Sequence, residues 1–370
     1  MDRRIRYSGG MSVLLWCKNI TLLLLIGEGC SANTDCKTLS TCEMVCDTRG
    51  PLYRCNGSGL IEVPNFPEST LELDIRGNTL TNLLLNVFYS IVDIEQLDLS
   101  NNKLISVHDA IFSKNVALEL LDLSNNHLTS VSVAFVSNNV ALKHLSVSNN
   151  NLTRLPDDVF MNNVMLKSLE LSNNKLSSIP DAVFSNNVKL QSLSLANNYL
   201  TSIPKDVFKN NVALVYVSLS NNNLTRVPDA VFMNNEALTH LVLSNNNITS
   251  VPDGVLENNR TLTNIYCKEC FDCDCLYAST YQWITTIVKD LQAYELTCRN
   301  GEALPDTIVK CTDDGSHLAV DIIENETLCY CKNSTSMKES SMDSTTETTP
   351  PIESTIEKVQ RNTKTDGKSH

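Results

Sequence analysis

Four cysteines near residue 270 have the spacing in this sequence that best suits a chemical site. Cys267, Cys270, Cys273 and Cys275 follow the pattern C-x-x-C-x-x-C-x-C, and thiolates so spaced suit tetrahedral zinc. The alternative is that they pair as disulfides, which form in an oxidising compartment. The start of the chain favours that compartment, so we expect disulfides and no bound metal or cofactor.

The histidines do not suggest a catalytic group. An active site requires convergent groups in a setting that excludes water. No serine, cysteine or metal motif frames any histidine, and the carboxylates are predicted on an open face. The sequence therefore predicts a protein that is not an enzyme and has no catalytic residues. The scattered histidines are His108, His127, His144, His240, His317 and His370.

The first 32 residues have the form of a secretory signal. Three arginines make a basic start, an apolar run covers residues 11–26, and small residues lead up to Ala32. Cleavage after Ala32 would remove Cys17 and Cys30 and leave an even number of cysteines, which permits complete pairing. We therefore expect residues 1–32 to be a signal peptide and the mature chain to be secreted and extracellular.

Charge and the end of the chain restrict the partners further. Acidic side chains outnumber basic ones by 42 to 29, giving a net charge of −13, which argues against nucleic acid or an anionic membrane surface. Residues 332–370 are rich in Ser and Thr and lack periodic apolar residues, so we expect a disordered, O-glycosylated tail. No hydrophobic stretch follows, and the sequence predicts no transmembrane segment in the mature chain.

A period of 24 residues dominates the middle of the chain. Leu97, Leu99 and Leu104 recur 24 residues later as leucines, and the frame L-x-L-x-x-N-x-L is kept across the repeats. Its asparagines are Asn78, Asn102, Asn126, Asn150, Asn174, Asn198, Asn222 and Asn246. Fixed repetition of this kind indicates a stacked repeat architecture.

The frame itself predicts the local structure. Leu97 and Leu99 are two residues apart, so both point to the same side of a short strand while Gln96 and Asp98 point to the other. One strand cannot bury its apolar side alone, but stacked copies form a parallel sheet over a leucine core. The asparagine amide at the turn can satisfy buried backbone groups of neighbouring turns.

The pattern L-x-x-L-x-L-x-x-N-x-L resembles the leucine-rich repeat and covers about residues 70–264. The resemblance implies an α/β solenoid of horseshoe form, with a parallel sheet on the concave face, short turns or 3-10 segments on the convex face, and disulfide-bonded caps. Residues 184–188 resemble Toll-type ectodomains of invertebrates, and residues 155–160 resemble the variable lymphocyte receptors of jawless fishes. We expect a cap over 33–69, eight repeats over 70–261 and a second cap over 262–331.

A second file of asparagines follows the same period. Asparagine favours turns, which predicts turn chemistry on the convex side, and the alternative is a polar lateral surface that binds another chain. The file consists of Asn115, Asn139, Asn163, Asn187, Asn211, Asn235 and Asn259.

The remaining cysteines fall at the two ends of the repeats, where a solenoid needs caps. Cys36, Cys42, Cys46 and Cys55 resemble the N-terminal cap of extracellular leucine-rich repeat proteins, which implies the pairs Cys36–Cys46 and Cys42–Cys55. In the C-terminal cap the resemblance implies Cys273–Cys298 and Cys275–Cys311, and the other four could pair among themselves. The eight cysteines of that cap are Cys267, Cys270, Cys273, Cys275, Cys298, Cys311, Cys329 and Cys331.

Side chains facing the concave side follow from the register. They give an acidic N-terminal third, a small-polar middle and an aromatic C-terminal third, where aromatic residues would anchor a partner. The acidic third would suit a basic ligand or calcium, or it is only a solvated face. The candidate ligand-binding residues are Glu72, Asp74, Gln96, Asp98, Asp122, His144, Glu170, Tyr199, Tyr216, His240 and Tyr266.

Seven N-glycosylation motifs follow the predicted signal peptide. Three of them share the position after the repeat asparagine, so glycans there would line one edge of the solenoid and leave the acidic third freer. The predicted acceptors are Asn56, Asn151, Asn223, Asn247, Asn259, Asn325 and Asn333.

These features predict a secreted recognition protein that binds an extracellular protein or glycan through the concave face. The resemblance to Toll-type and jawless-fish receptors implies a role in innate immunity or cell-surface signalling. The alternative is a matrix scaffold or accessory subunit that uses the solenoid as a spacer. The ligand and the oligomeric state do not follow from the sequence.

Overall fold

One short strand per repeat builds a single sheet in the computed structural model. The structure describes residues 42–46, 50–248, 255–256, 258–268, 309–311, 322–323 and 326–329. The strands of the large sheet are β1 (Glu43–Cys46), β2 (Pro51–Arg54), β3 (Glu72–Asp74), β4 (Gln96–Asp98), β5 (Leu120–Asp122), β6 (His144–Ser146), β7 (Ser168–Glu170), β8 (Ser192–Ser194), β9 (Tyr216–Ser218), β10 (His240–Val242) and β11 (Asn264–Tyr266).

The strands lie in the sheet in the order of the sequence. β1 pairs antiparallel with β2, and from β2 to β11 every pair is parallel. From β3 onward each residue pairs with the residue 24 positions later, as Leu97 does with Leu121. The predicted parallel-strand solenoid is therefore confirmed. A separate sheet contains β12 (Val309–Cys311), β13 (Ile322–Ile323) and β14 (Glu326–Cys329).

The middle residue of each repeat strand faces the core. Leu97, Leu121 and Leu169 are buried, and a second core layer is formed by the aromatic position ten residues after the repeat asparagine. Phe160, Phe184 and Phe208 stack there with ring centroids 6.3 Å apart. The side opposite the sheet consists of turns, and the described part of the chain contains no helix.

The chain leaves each strand through a turn that the repeated Asn-Asn pair makes possible. The first asparagine of the pair, Asn173 for example, has a φ of 55° in the left-handed region. Asparagine tolerates that region better than other residues with a side chain. Gly77 fills the same position in the first repeat with a φ of 69°.

The second asparagine of the pair builds the first ladder, the file from Asn78 to Asn246. The Nδ2 of Asn174 donates to the carbonyl oxygens of Leu171 and, in the preceding repeat, Val147, at 3.1 and 3.0 Å. Its Oδ1 accepts the backbone N–H of Leu152 at 3.0 Å. The predicted role of these asparagines is confirmed, and the same bonds recur along the file.

The other asparagine file forms a second buried ladder, the file from Asn115 to Asn259. The Nδ2 of Asn187 donates to the carbonyl oxygens of Phe160 and Asn163 at 3.1 and 2.9 Å. The expected turns are present, because the N–H of Asn187 donates to the carbonyl of Phe184. The alternative of a polar lateral surface was wrong, since all seven side chains are buried and cannot contact another chain.

An outer ladder runs beside the second one. Asn138, Asn162, Asn186, Asn210, Asn234 and Asn258 are the preceding residues, and they lie at the surface. The Nδ2 of Asn186 donates to the carbonyl of Met161 at 3.0 Å. Each middle repeat therefore connects to its predecessor through three asparagine amides in addition to its strand.

The N-terminal cap is joined to the sheet by β1 and β2. Cys42 and Cys55 form a disulfide, which is one of the two pairs that the resemblance implied. Cys36 and the side chain of Cys46 lie outside the described residues. So do the predicted signal peptide, the tail over 332–370 and most of the C-terminal cap.

Candidate functional site

The concave face consists of two columns of side chains, the first and third residues of each repeat strand. The strand register aligns them across the sheet, and the residue between them points into the core. The first column is Glu72, Gln96, Leu120, His144, Ser168, Ser192, Tyr216, His240 and Asn264, and the second is Asp74, Asp98, Asp122, Ser146, Glu170, Ser194, Ser218, Val242 and Tyr266.

The aspartates of the second column bind the turn that follows their own strand. The Oδ1 atoms of Asp98 and Asp122 accept the backbone N–H two residues later, at 2.9 and 2.8 Å, and Asp74 does the same at 3.2 Å. Such bonds stabilise a turn. These carboxylates therefore have a structural role, which the repeat pattern alone did not predict.

Two arginines adjoin the acidic third of the face. Arg76 lies between Asp74 and Asp98, with nitrogen-to-oxygen distances of 3.4 and 3.6 Å. Arg54 is in register with Asp74 on the neighbouring strand. Neither arginine belongs to the repeat frame, so the repeat pattern did not predict their positions. The N-terminal third is a mixed cluster of charges, which weakens its attraction for a basic ligand.

Burial shifts the pKa of Asp74, the carboxylate at the end of this cluster. Desolvation raises the pKa of Asp74, while the Arg76 N–H and the charges of Arg76 and Arg54 oppose the rise and the charge of Asp98 adds to it. On the same face the Nε2 of Gln96 donates to Glu72 at 3.1 Å. Within the described residues no three His, Cys, Asp or Glu side chains are grouped to hold a metal ion.

Small polar residues surround Glu170 in the middle of the face. Ser146 and Ser194 are its neighbours in register. Burial raises the pKa of Glu170, and a hydrogen bond from Ser194 opposes the rise. His144 is exposed at the edge of this region.

The aromatic third brings two of the predicted side chains together. Tyr216 and His240 are neighbours in the first column with ring centroids 6.4 Å apart, and Thr239 Oγ1 lies 2.8 Å from His240 Nδ1. Both rings are half-buried, and the Tyr216 hydroxyl has no hydrogen-bond partner among the described residues. Tyr266 lies in the other column, two strands from Tyr216.

Tyr199 does not belong to either column. It follows Asn198 in the turn beyond the strand, and it is 57% exposed at the edge of the sheet. The predicted binding set is therefore not one continuous patch. Ten of its members lie on the concave columns, and Tyr199 is separate.

The predicted glycosylation positions differ in accessibility. Asn56, Asn223 and Asn247 are exposed and Asn151 is half-buried. The prediction of Asn259 as a glycosylation acceptor was wrong. Its side chain is fully buried in the second ladder, and its Nδ2 donates to the carbonyls of Phe232 and Asn235. A glycan on that nitrogen is incompatible with the folded chain. Asn325 and Asn333 lie outside the described side chains.

The candidate zinc cysteines are described only in part. Cys267 occupies the core position of a repeat leucine, is fully buried and is disulfide-bonded. Its partner is not among the described side chains, and Cys270, Cys273 and Cys275 lie outside the described residues. The disulfide at Cys267 agrees with the expectation of structural pairing.

Two family models match the chain. A BspA type leucine rich repeat region matches residues 153–280 in 6 copies, and a second leucine rich repeat model matches residues 95–140 and 116–176. Together they cover residues 95–280, about half of the chain. This chain belongs to the leucine-rich repeat proteins.

Solved structures share the fold. A chain of the Toll–Spatzle complex of Drosophila, described as a molecular hub in development and innate immunity, is 24% identical with a TM-score of 0.53 over 58% of this chain and 30% of that one. The glycosylated form of that complex gives 24% identity and a TM-score of 0.56, over 68% and 34% of the two chains. A chain of the octameric complex of Latrophilin 3, Unc5D and FLRT2 (LRR) is 26% identical, with a TM-score of 0.57 over 65% and 76%.

The match spans only about a third of the Toll chain's length. A search of curated proteins by sequence gives no match. Where the structure describes the chain, it contains no helix with the length and hydropathy needed to cross a membrane.

Proposed function

We propose that this chain is a secreted, non-enzymatic recognition protein whose concave face binds an extracellular protein or glycan in innate immunity or cell-surface signalling. The Toll chain binds Spatzle, and FLRT2 assembles with Latrophilin 3 and Unc5D, so proteins of this fold take part in extracellular protein complexes. The open columns offer no enclosed pocket of convergent groups, which favours binding over catalysis.

The observation that carries the proposal is the pair Tyr216 and His240. Their rings adjoin on the concave face, are partly accessible and lie beside small residues that leave them open to a partner. Aromatic side chains of this kind dominate binding energy in protein interfaces and also stack on sugars. The acidic third differs, because its carboxylates already bind turns and arginines.

The test is a binding screen of the full chain against extracellular proteins and a glycan array, followed by variants. For the ligand found, Tyr216→Ala with His240→Ala should raise Kd by about 10-fold to 100-fold. The control is Tyr89→Ala with His127→Ala, which makes the same changes away from the concave columns and should leave Kd unchanged. Unaltered binding by the first variant would contradict the proposed site.

A second variant tests the acidic third. Changing Asp74, Asp98 and Asp122 together to Asn keeps the Oδ1 acceptors of the turns and removes the charges. We expect this variant to fold and to keep the ligand. Loss of binding would place the contact at the acidic end and support the hypothesis of a basic ligand.

A further inference from the structure

A file of exposed valines runs along the flank of the solenoid where the chain returns to the strands. One valine per repeat follows directly after the second-ladder position, and each side chain is 42–56% exposed. The valine file consists of Val92, Val116, Val140, Val164, Val188 and Val212. Single exposed apolar residues need no explanation, but a continuous file of them does.

The second ladder fixes the spacing of the file. Asn139 and Asn163 each donate to two carbonyls of the preceding repeat, so Val140 and Val164 follow at the interval of one strand. Neighbouring strands lie about 4.8 Å apart, and the phenylalanine rings of neighbouring repeats lie up to 6.3 Å apart, so the six valines span at least roughly 24 Å. Contiguous apolar patches of a few hundred Å² on a monomer are often functional.

The surroundings of the file are nearly free of charge. On one side lie the amides of the outer ladder, including Asn162 and Asn186, and in the repeat of Val116 the same position is Lys114. On the other side, from the repeat of Val116 to that of Val212, lie Ala117, Ala141, Met165, Lys189 and Ala213, of which only Lys189 is charged. In the next two repeats Glu236 and Arg260 replace the valine, so the apolar surface ends there.

We propose that the valine file is the contact between two copies of this chain. A two-fold axis through Val164 would place Val140 opposite the partner's Val188 and Val116 opposite the partner's Val212. Interfaces between identical chains are usually of this self-complementary kind. The valines would form the apolar centre and the asparagine amides the polar rim.

Spacing is the first argument for a second copy. The valines from Val116 to Val212 recur in five consecutive repeats, and a partner must present apolar groups at the same interval to contact all five. Another solenoid with the same repeat does so without adjustment. A stable interface buries about 800 Å² per partner, which the valine file reaches only together with the rows of amides and alanines beside it.

Charge is the second argument. A net charge of −13 makes two copies repel, and the repulsion is weakest where surfaces without acidic groups meet. Between Val116 and Val212 the valine file and its two flanking rows contain no Asp or Glu. The glycosylation motifs at Asn151, Asn223 and Asn247 follow the strands whereas the valines precede them, so glycans there would not cover the file.

The experiment is sedimentation equilibrium of the full chain from nanomolar to micromolar concentration. The wild-type chain should dimerise. Val140→Glu with Val164→Glu should raise the dimer Kd by about 100-fold or more, because buried carboxylates would lack partners and those at position 164 would face each other. The matched control, Ile105→Glu with Val133→Glu, adds the same charge at two other exposed apolar positions and should leave the dimer intact.

Three results would overturn the proposal. They are a wild-type chain that stays monomeric, a dimer that the variant at 140 and 164 does not weaken, and a control that dissociates equally. Circular dichroism melting checks the fold of each variant. If the glutamate variant does not fold, Val140→Thr with Val164→Thr keeps the side-chain shape and decides the question, since it should still weaken the dimer at least several-fold.

Discussion

The two buried asparagine ladders look alike in sequence and differ in what their oxygen atoms bind. In the first ladder the Oδ1 of Asn174 accepts the N–H of Leu152, which has no other acceptor among the described residues. In the second ladder the Oδ1 of Asn187 is buried without a hydrogen bond from the described residues. The same holds for the other six members of that ladder.

The carbonyls that receive the two amides differ as well. Among the described residues, Val147 O, bound by Asn174, accepts only ladder amides. Phe160 O and Asn163 O, bound by Asn187, each also accept a backbone N–H. The first ladder is therefore the necessary partner of buried backbone groups, whereas the second adds bonds to groups that are already satisfied. Unsatisfied buried groups are what make a lost hydrogen bond costly.

The largest effect is expected at the first ladder. Asn174→Ala leaves the buried N–H of Leu152 without an acceptor and removes three donated bonds, so it should lower the free energy of unfolding by about 3 kcal/mol. Chemical denaturation of the full chain measures the change. A loss below about 1 kcal/mol would mean that the first ladder is not a necessary partner.

A smaller effect is expected at the second ladder. Asn187→Ala should cost about 2 kcal/mol, mostly for the cavity, and Asn187→Leu less than about 1 kcal/mol, since it fills the space and removes the unpaired oxygen. Denaturation curves of both variants give the ranking. The neighbouring Asn186→Ala, at the exposed outer ladder, is the control and should change little. If Asn187→Leu were as costly as Asn174→Ala, the distinction between the ladders would fail.

Asn173, the first asparagine of the Asn-Asn pair, allows the effect of backbone conformation to be measured separately from the ladder bonds. Asn173 has a φ of 55°, is exposed, and its side chain makes no hydrogen bond with described residues. Asn173→Ala should cost about 1 kcal/mol, and Asn173→Gly close to nothing, because glycine adopts this region freely. Melting temperatures of the two variants should therefore differ. Equal values would mean that the left-handed turn does not limit stability.

The smallest effect on stability is expected at Glu170, a carboxylate on the concave face that replaces no ladder amide. Burial raises the pKa of Glu170 above 4.5, so the folded state disfavours its charged form and stability falls as the pH rises through and above 4.5. Glu170→Gln should therefore stabilise the chain at pH 7 by a few tenths of a kcal/mol after solvent screening. Denaturation at pH 7 and well below pH 4.5 checks this, since the stabilisation by Glu170→Gln should vanish in acid. The effect of Asn174→Ala should not depend on pH in this way.

Sequence reasoning predicted the repeat frame, the sheet register and the first ladder, because leucine periodicity fixes which side chains point inward. It did not predict the burial of Asn187, since an asparagine three residues after a phenylalanine is equally typical of an exposed turn. One signal was present in the sequence. The second-ladder asparagine never changes over seven repeats, whereas the next position changes from Val212 to Glu236.

The concave columns were also predictable, but the bonds of their side chains were not. The register placed Asp98 and Tyr216 correctly on the face. Whether a carboxylate is free depends on the turn that follows and on residues outside the frame, such as Arg76. Exposure of the valine file likewise depends on how the returning segment packs, which a pattern of residue types does not determine.

The ladder bonds that join neighbouring repeats have separations of 22 to 27 residues along the chain. A gene that loses or duplicates one 24-residue unit therefore encodes a chain whose amides and carbonyls meet again at each junction. The concave face can lengthen or shorten by a whole strand in one genetic event, while the turns and the core stay unchanged. Recombination can thus change the length of the concave face in a single step while every resulting chain keeps its ladder bonds.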